Sequence, residues 1–106
     1  MSHRAGLIPY WISENNEIFM LFMKPSDSKF GGPDFQIAKG RRDPDEHDLT
    51  TALREGYEEL GLLKSNINSI IDIGHHLGRT HFYVVEIINE NNFVKPHFET
   101  KDTIWL

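Results

Sequence analysis

Residues 40–62 read GRRDPDEHDLTTALREGYEELGL, and this stretch decides the fold of the chain. After Pro44 it contains no proline, and its apolar residues recur at the spacing of one face of an α-helix. The pattern predicts an amphipathic helix from Asp48 to Leu60, ended by Gly61, which can adopt the left-handed conformation. The predicted buried face consists of Leu49, Ala52, Leu53, Gly56 and Leu60.

Three carboxylates, those of Glu55, Glu58 and Glu59, share a sector of this helix beside the apolar face. Like charges at these spacings weaken an isolated helix by a few tenths of a kcal/mol per pair, so positive charge must offset the repulsion. Arg54, with Arg41 or Arg42, could supply part of it, but a hard divalent cation is the better match for carboxylate oxygens. An open cluster of this kind suits phosphoryl chemistry.

The order of charged residues and glycines resembles the signature of the Nudix hydrolases, G-x5-E-x7-R-E-U-x-E-E-x-G-U, where U is a bulky aliphatic residue. The matching positions are Gly40, Glu46, Arg54, Glu55, Glu58, Glu59 and Gly61. One residue departs from the signature: Gly56 stands where the family has Ile, Leu or Val. Because position 56 lies on the predicted buried face, this departure concerns packing and stability more than chemistry. Glycine inside a helix costs about 1 kcal/mol relative to alanine.

The resemblance implies an α+β fold, a Nudix-type α/β/α sandwich with a mixed β-sheet and the signature loop, helix and loop. We expect a single Nudix domain over residues 1–106, with the Nudix box at 40–62. Family members commonly continue with a helix over the second face of the sheet, and no segment here supplies one. We therefore expect a chain that lacks the C-terminal helix, as a truncated or unusually short member. Apolar sheet surface left exposed would favour association, as in a homodimer.

Alternation of apolar and polar residues, with turn-forming residues between, predicts the strands. A hairpin is expected from Ala5–Ile12 and Glu17–Lys24, followed by a loop over Pro25–Pro33. Pro9 should lie at an edge, a bulge or a strand start, because it cannot donate a ladder hydrogen bond. The other predicted strands are Asp34–Lys39, Asn66–Asp72, Arg79–Ile88 and Thr103–Leu106, with a turn at Asn89–Asn92.

The activity implied by the resemblance is hydrolysis of a pyrophosphate bond in a nucleoside diphosphate derivative, with Mg²⁺ as cofactor and Mn²⁺ able to substitute. ADP-ribose or a dinucleoside polyphosphate is the favoured substrate, and NADH or flavin adenine dinucleotide also fits. The alternatives are a nucleoside triphosphate or RNA-cap pyrophosphohydrolase and a non-catalytic nucleotide-binding or sensor domain. From another class, the chain would be an interaction protein with a merely acidic helix.

The resemblance also assigns roles to residues. The metal is assigned to Gly40, Glu55, Glu58 and Glu59, with Glu99 as a further candidate. The catalytic group is Glu55, Glu58 and Arg54, in which Glu55 or Glu58 accepts the proton of water and Arg54 orients a carboxylate. Glu46 and Gly61 are expected to be structural, Glu46 by fixing the loop to the helix. The competing interpretation is a solvated acidic helix face, with Glu58 paired to Arg54.

Outside the signature, candidates are less specific. Lys39 and Arg79 each adjoin a predicted strand and are the preferred contacts for substrate phosphates. His75, His76 and His81 are expected at the surface or in ordinary packing rather than in catalysis. Aromatic residues available to stack on a base are Tyr10, Phe30, Phe82, Tyr83 and Trp105, most of them expected in the core.

Composition limits the class of protein. A net charge of −5 argues against a surface built to grip long nucleic acid, whereas a small nucleotide held through a metal is compatible with it. With no cysteine, the chain has no disulfide, no Cys-ligated zinc and no thiol nucleophile. No apolar run approaches the roughly 20 residues of a membrane span, and no signal-peptide pattern begins the chain, so a cytoplasmic location without membrane partners is expected.

Overall fold

The computed structural model describes residues 3–27, 32–97 and 100–106, which form a mixed β-sheet with one α-helix. The strands are β1 (Arg4–Ile12), β2 (Ile18–Pro25), β3 (Ala38–Arg41), β4 (Ile67–Leu77), β5 (Thr80–Ile87) and β6 (Thr100–Trp105), and the helix is α1 (Asp48–Leu60). Their order is β4-β5-β1-β2-β6, with β3 also paired to β1. β1 and β5 are parallel, and the other pairings between these strands are antiparallel. The predicted α+β fold with a mixed sheet is confirmed.

The core lies between α1 and one face of the sheet, because α1 packs mainly on β1 and β3. Side chains alternate between the faces of a strand, so Ala5 and Leu7 point towards the helix and are fully buried. From α1 itself, Ala52 and Leu60 enter the same core. No described residue forms a helix on the opposite face, as expected for a chain that lacks the C-terminal helix of the family. No helix in the described residues is long and apolar enough to cross a membrane.

The helix has the predicted bounds, and Gly61 ends it in the left-handed region with a φ of 74°. The Gly61 N–H donates to the carbonyl of Tyr57 at 3.0 Å, and the Leu62 N–H donates to that of Gly56 at 3.2 Å. These two bonds satisfy carbonyls that the last turn would otherwise leave open. A side chain at position 61 would also collide with the backbone of Val94.

The prediction for Pro9 was wrong. Pro9 is buried in β1, a central strand, where it is in register with Val85 of β5. On its other side β1 pairs with β3 as far as Leu7 and with β2 from Tyr10 onwards. Pro9 therefore lies where the neighbouring strand changes, and its missing N–H interrupts neither pairing.

Several strand bounds also differ from the predictions. The segment predicted as Asp34–Lys39 forms a strand only from Ala38, because β1 pairs with it only over residues 38–41; Gln36 makes an isolated bridge to Met23. β4 extends five residues beyond Asp72, β5 begins one residue later than predicted, and β6 begins three residues earlier. Asn66 was predicted as a strand residue, but it precedes β4 and its side chain is buried. Its amide donates hydrogen bonds to the carbonyls of Asn89 and Asn92 at 2.9 and 3.0 Å, which stabilise the predicted turn.

Candidate functional site

Glu46 and Arg54 join the loop before α1 to the helix. Arg54 Nε donates to Oε2 of Glu46 at 2.8 Å and Nη2 donates to Oε1 at 3.0 Å, a two-pronged pair. The same carboxylate accepts the Thr51 hydroxyl at 2.8 Å and the Asp43 N–H at 3.1 Å. Chiefly through Arg54, the pKa of Glu46 is lowered to about 2. Glu46 is therefore ionised over the physiological range and ties the loop to α1.

Arg54 also reaches the carboxylates of the helix itself. Its Nη1 donates to Oε2 of Glu55 at 2.9 Å and lies 3.5 Å from Oε2 of Glu58. Nη2 donates in addition to the backbone carbonyl of Arg41 at 3.1 Å. These bonds to Glu46 and the neighbouring carboxylates raise the pKa of Arg54 further. One guanidinium thus fixes the loop and two acidic side chains relative to one another.

Glu55 and Glu59 are buried one helical turn apart, and each is 8% exposed. Gly40 of β3 lies directly against Glu55, since a Cβ at position 40 would overlap its carboxylate. The Lys39 N–H donates to Oε1 of Glu59 at 3.3 Å. Burial and the adjacent Glu55 carboxyl raise the pKa of Glu59 well above its ordinary value. Burial of two adjacent carboxyl groups thus disfavours a negative charge on Glu59.

The donor set at this place fits a hard divalent ion. It consists of carboxylate oxygens and the backbone of Gly40, and two buried carboxyl groups side by side form a position where bound positive charge is favoured. Glu58, with a side chain 34% exposed, faces the solvent side of the same cluster. Within the described ranges, no three His, Asp or Glu side chains are already grouped as metal ligands. Instead, Arg54 contacts Glu55 and Glu58, and the carboxyl group of Glu59 lies against that of Glu55.

Glu99, the further metal candidate, lies outside the described residues. Residues close to it in sequence contact the end of α1: the His97 N–H donates to the Glu58 carbonyl at 2.7 Å, and the Thr100 hydroxyl donates to the Glu59 carbonyl at 2.8 Å. His97 and the first residue of β6 thus pack beside the last turn of α1, which carries Glu58 and Glu59.

Lys39 points to the face of the sheet opposite α1. A Cβ on Gly6 would lie 2.7 Å from Cβ of Lys39, whereas Gly40 faces the helix, so Lys39 and the even-numbered residues of β1 share the opposite face. Burial and the charge of Arg4 lower the pKa of Lys39. Arg79 lies in the turn between β4 and β5, and its carbonyl accepts the Arg4 N–H at 3.4 Å. The structure thus brings both predicted phosphate contacts to the neighbourhood of Arg4.

Further along β1, this opposite face carries an apolar groove, here called the second-face groove. It is lined by Ile8, Tyr10, Ile12, Ile18, Met20, Ile71 and Val84. Among the aromatic candidates for stacking, Tyr10 lines the groove, whereas Phe82 and Tyr83 are buried and Trp105 packs edge-on against Phe93. Phe30 lies outside the described residues, and so do the side chains of His75 and His76.

The departure at Gly56 has a packing explanation. A Cβ at this position would lie 3.0 and 3.1 Å from the two Cδ atoms of Leu7, which is fully buried. Leu7 of β1 therefore fills the volume that a bulky aliphatic side chain on α1 would otherwise occupy.

Two contributions to the site were missed from the sequence. Thr51 is fully buried, and its hydroxyl donates to Glu46. The sequence indicates this only through the position of Thr51 on α1, one turn before Glu55. The Lys39 N–H that holds Glu59 has no sequence signal, because any residue except proline carries a backbone N–H.

Known proteins resemble this chain both in sequence family and in fold. A family model described as NUDIX domain matches residues 1–103. The comparison with curated proteins gave no match. Among solved structures, a C. elegans Ap4A hydrolase in a binary complex has a TM-score of 0.76 at 19% identity, covering 99% of this chain and 79% of that one. A Nudix hydrolase from M. smegmatis, RenU, has a TM-score of 0.73 at 17% identity, covering 98% and 69%. At these identities the likeness shows a shared fold.

Proposed function

Since this chain belongs to the Nudix family of hydrolases, we propose that it hydrolyses a pyrophosphate bond in a nucleoside diphosphate derivative with Mg²⁺ as cofactor. Mn²⁺ is expected to substitute. The observation that carries the proposal is the buried pair Glu55 and Glu59, held between Arg54 and the backbone of β3. Such a pair is costly unless positive charge is bound between its members, and the divalent cation that accompanies a diphosphate supplies that charge.

The residues that would hold the metal are Glu55, Glu58 and Glu59, with the carbonyl of Gly40. The chemistry supplied there is neutralisation of phosphate charge and a lowered pKa for the attacking water. The protein's own contribution is orientation. Arg54 fixes Glu55 through a 2.9 Å bond, and the Lys39 N–H fixes Glu59. Glu55 or Glu58 then accepts the proton of the water, which makes Arg54 a positioning residue.

The nucleoside part of the substrate is assigned to the opposite face of the sheet. Lys39 and Arg4 supply positive charge at one end of β1, and the second-face groove offers apolar walls beside Tyr10. A substrate with a phosphate bridge and an aromatic base likewise has one charged part and one apolar part. The favoured substrates are therefore ADP-ribose and dinucleoside polyphosphates, with NADH and flavin adenine dinucleotide next, while the net charge of −5 disfavours RNA.

The decisive experiment incubates the purified protein with these substrates, nucleoside triphosphates and capped RNA, with Mg²⁺, with Mn²⁺ and with EDTA. Products are separated by ion exchange. Because a solved structure of this fold is named an Ap4A hydrolase, Ap4A is the first substrate to test. We expect turnover that requires metal and is greatest for an adenine-containing diphosphate. Preference for capped RNA would replace the proposed substrate class, and nucleotide binding without turnover would indicate a sensor domain.

Glu59→Gln tests the metal cluster. It keeps the shape of the side chain but removes the charge, and we expect kcat to fall by more than about 100-fold, since even groups that only orient metal ligands contribute roughly 10- to 100-fold. Glu14→Gln, in the exposed turn between β1 and β2, is the matched control and should retain wild-type kcat. Equal activity in the two variants, or calorimetry without Mg²⁺ or Mn²⁺ binding in the presence of nucleotide, would contradict the proposal.

A further inference from the structure

A second group of charged side chains lies at the opposite end of α1 from Glu59. His81 of β5 stands between two carboxylates: its Nδ1 is 2.7 Å from Oδ2 of Asp48, and its Nε2 is 2.6 Å from Oδ1 of Asp72. A neutral imidazole has one N–H and one lone pair, whereas the imidazolium has two N–H donors. Only the protonated ring can therefore donate to both carboxylates at once.

Further groups surround the same contact. His3, just before β1, places its Nε2 2.9 Å from Oδ2 of Asp48, and Arg42 places Nη1 3.7 Å from the other carboxylate oxygen. That second oxygen, Oδ1 of Asp48, is buried and accepts no hydrogen bond from the described residues. The ring of Tyr83 stacks on His81 with centroids 4.6 Å apart. Among the described residues, the groups around His81 and Asp48 thus come from α1, β4, β5, the segment before β1 and the loop after β3.

We propose that His81, Asp48, Asp72 and His3 form a protonation-dependent clip, closed when His81 is an imidazolium, that joins the first turn of α1 to β4 and to the start of β1. Asp48 is the first residue of α1, and residues 33 and 45 positions away in the chain meet on its Oδ2. Of the four members of this His81 clip, only Asp48 falls within the Nudix box, at a position that the signature leaves unspecified.

Loss of the His81 proton opens the clip on its β4 side. A lone pair would then face a carboxylate oxygen at one of the two short contacts, and that contact must break. Asp72 is the partner that leaves, because its side chain is 59% exposed whereas that of Asp48 is 18% exposed. β4 is irregular just beyond this point, with a register shift between Asp72 and Gly74 and a φ of 89° at Gly74. The contact between His81 and Asp72 therefore lies where the pairing of β4 with β5 is already interrupted.

The sign of the pH dependence follows from the two titrating partners. Burial alone would lower the pKa of His81, but its bonds to Asp48 and Asp72 outweigh burial and raise that pKa above the ordinary value of 6.5. The stabilisation is therefore complete below about pH 6.5 and is lost as pH rises through the raised pKa. Burial would raise the pKa of Asp48, but His3 and His81 lower it, so the clip also fails in strong acid.

The test compares Asp72→Asn with Asp45→Asn, which makes the same charge change at an exposed loop position. Two-dimensional NMR of the histidine rings, with the His81 signal identified by its absence in His81→Gln, gives the titration midpoint. We expect the midpoint to lie above 6.5 in the wild type and to fall by about one pH unit in Asp72→Asn but not in Asp45→Asn. A midpoint at or below 6.5 in the wild type, or equal effects of the two variants, would overturn the clip.

Thermal melts supply the second readout. The Tm difference between the wild type and His81→Gln should be larger at pH 6 than at pH 9. Hydrogen exchange around Asp72 in β4, after correction for the intrinsic rise of exchange with pH, should also speed up over this range in the wild type but not in His81→Gln. A Tm difference that is the same at both pH values would overturn the proposal. So would a rise in Tm on adding Zn²⁺ at pH 8 that His81→Gln abolishes and Glu59→Gln retains, because the cluster would then be a metal site.

Discussion

Glu55 and Glu58 lie three residues apart on α1, yet their surroundings differ. Glu55 is 8% exposed and packs against Gly40, while the side chain of Glu58 is 34% exposed. Helical spacing predicts that both side chains lie on one sector of α1. It does not predict which of the two is buried by β3. Gly56 is a similar case: the signature marked it as a departure, and only Leu7, distant in sequence, explains it.

The contact between Gly56 and Leu7 makes a direct prediction. Gly56→Ala gains helix propensity of about 1 kcal/mol but crowds a fully buried Leu7 with little room to move, so we expect net destabilisation of about 1 kcal/mol in the wild-type background. In a Leu7→Ala background the same change should be stabilising. Urea unfolding of the four proteins measures the coupling, expected at roughly 0.5–3 kcal/mol for residues in contact. Additive effects would show that Leu7 does not limit position 56.

Among the elements, α1 was predicted with the bounds that the structure shows. Its periodicity and its terminating glycine are local signals, and helix hydrogen bonds join residues four apart. β3 and β6 were predicted with wrong bounds because a strand ends where its partner ends. β3 is limited to the residues that face Arg4–Leu7, and β6 begins at Thr100, opposite Pro25, which had been predicted as the start of a loop.

The ion pair of Glu46 with Arg54, which joins α1 to the loop before it, should depend on pH. Because Arg54 lowers the folded pKa of Glu46 from 4.5 to about 2, the stabilisation is present above pH 4.5 and is lost as pH falls towards 2. Glu46→Gln, which keeps the shape, should therefore melt below the wild type at pH 7, and the Tm difference should vanish near pH 2. Glu14→Gln is the control and should show no such trend. A Tm difference that persists at pH 2 would assign the effect to packing instead of charge.

At the scale of the whole molecule, the sheet separates two kinds of surface. One face holds the core beneath α1, and the other carries the second-face groove next to Lys39 and Arg4. β3 joins the two, since Gly40 touches the acidic cluster while Lys39, one residue earlier, points to the groove side. Alternation along a single strand therefore connects the proposed metal site with the proposed nucleoside site.

Tyr10→Ala tests that arrangement. If Tyr10 contacts the base, KM for the preferred substrate should rise roughly 10-fold while kcat changes little, because the lost contact is equally present in ground and transition states. Ile88→Ala, a 63% exposed residue that does not line the groove, is the control. An unchanged KM in Tyr10→Ala would place the nucleoside elsewhere, and a loss confined to kcat would indicate that Tyr10 acts on the pyrophosphate chemistry.

The sequence by itself determined α1, its acidic sector and the family, because these depend on residues within one short segment whose spacing is regular. Tertiary structure decided which carboxylates are buried, how a proline fits a central strand, and that His81 meets Asp48 and Asp72. Each of these depends on which strands become neighbours. Strand pairing joins residues tens of positions apart, and its outcome is set by the competition of all strands for partners, which no local pattern records.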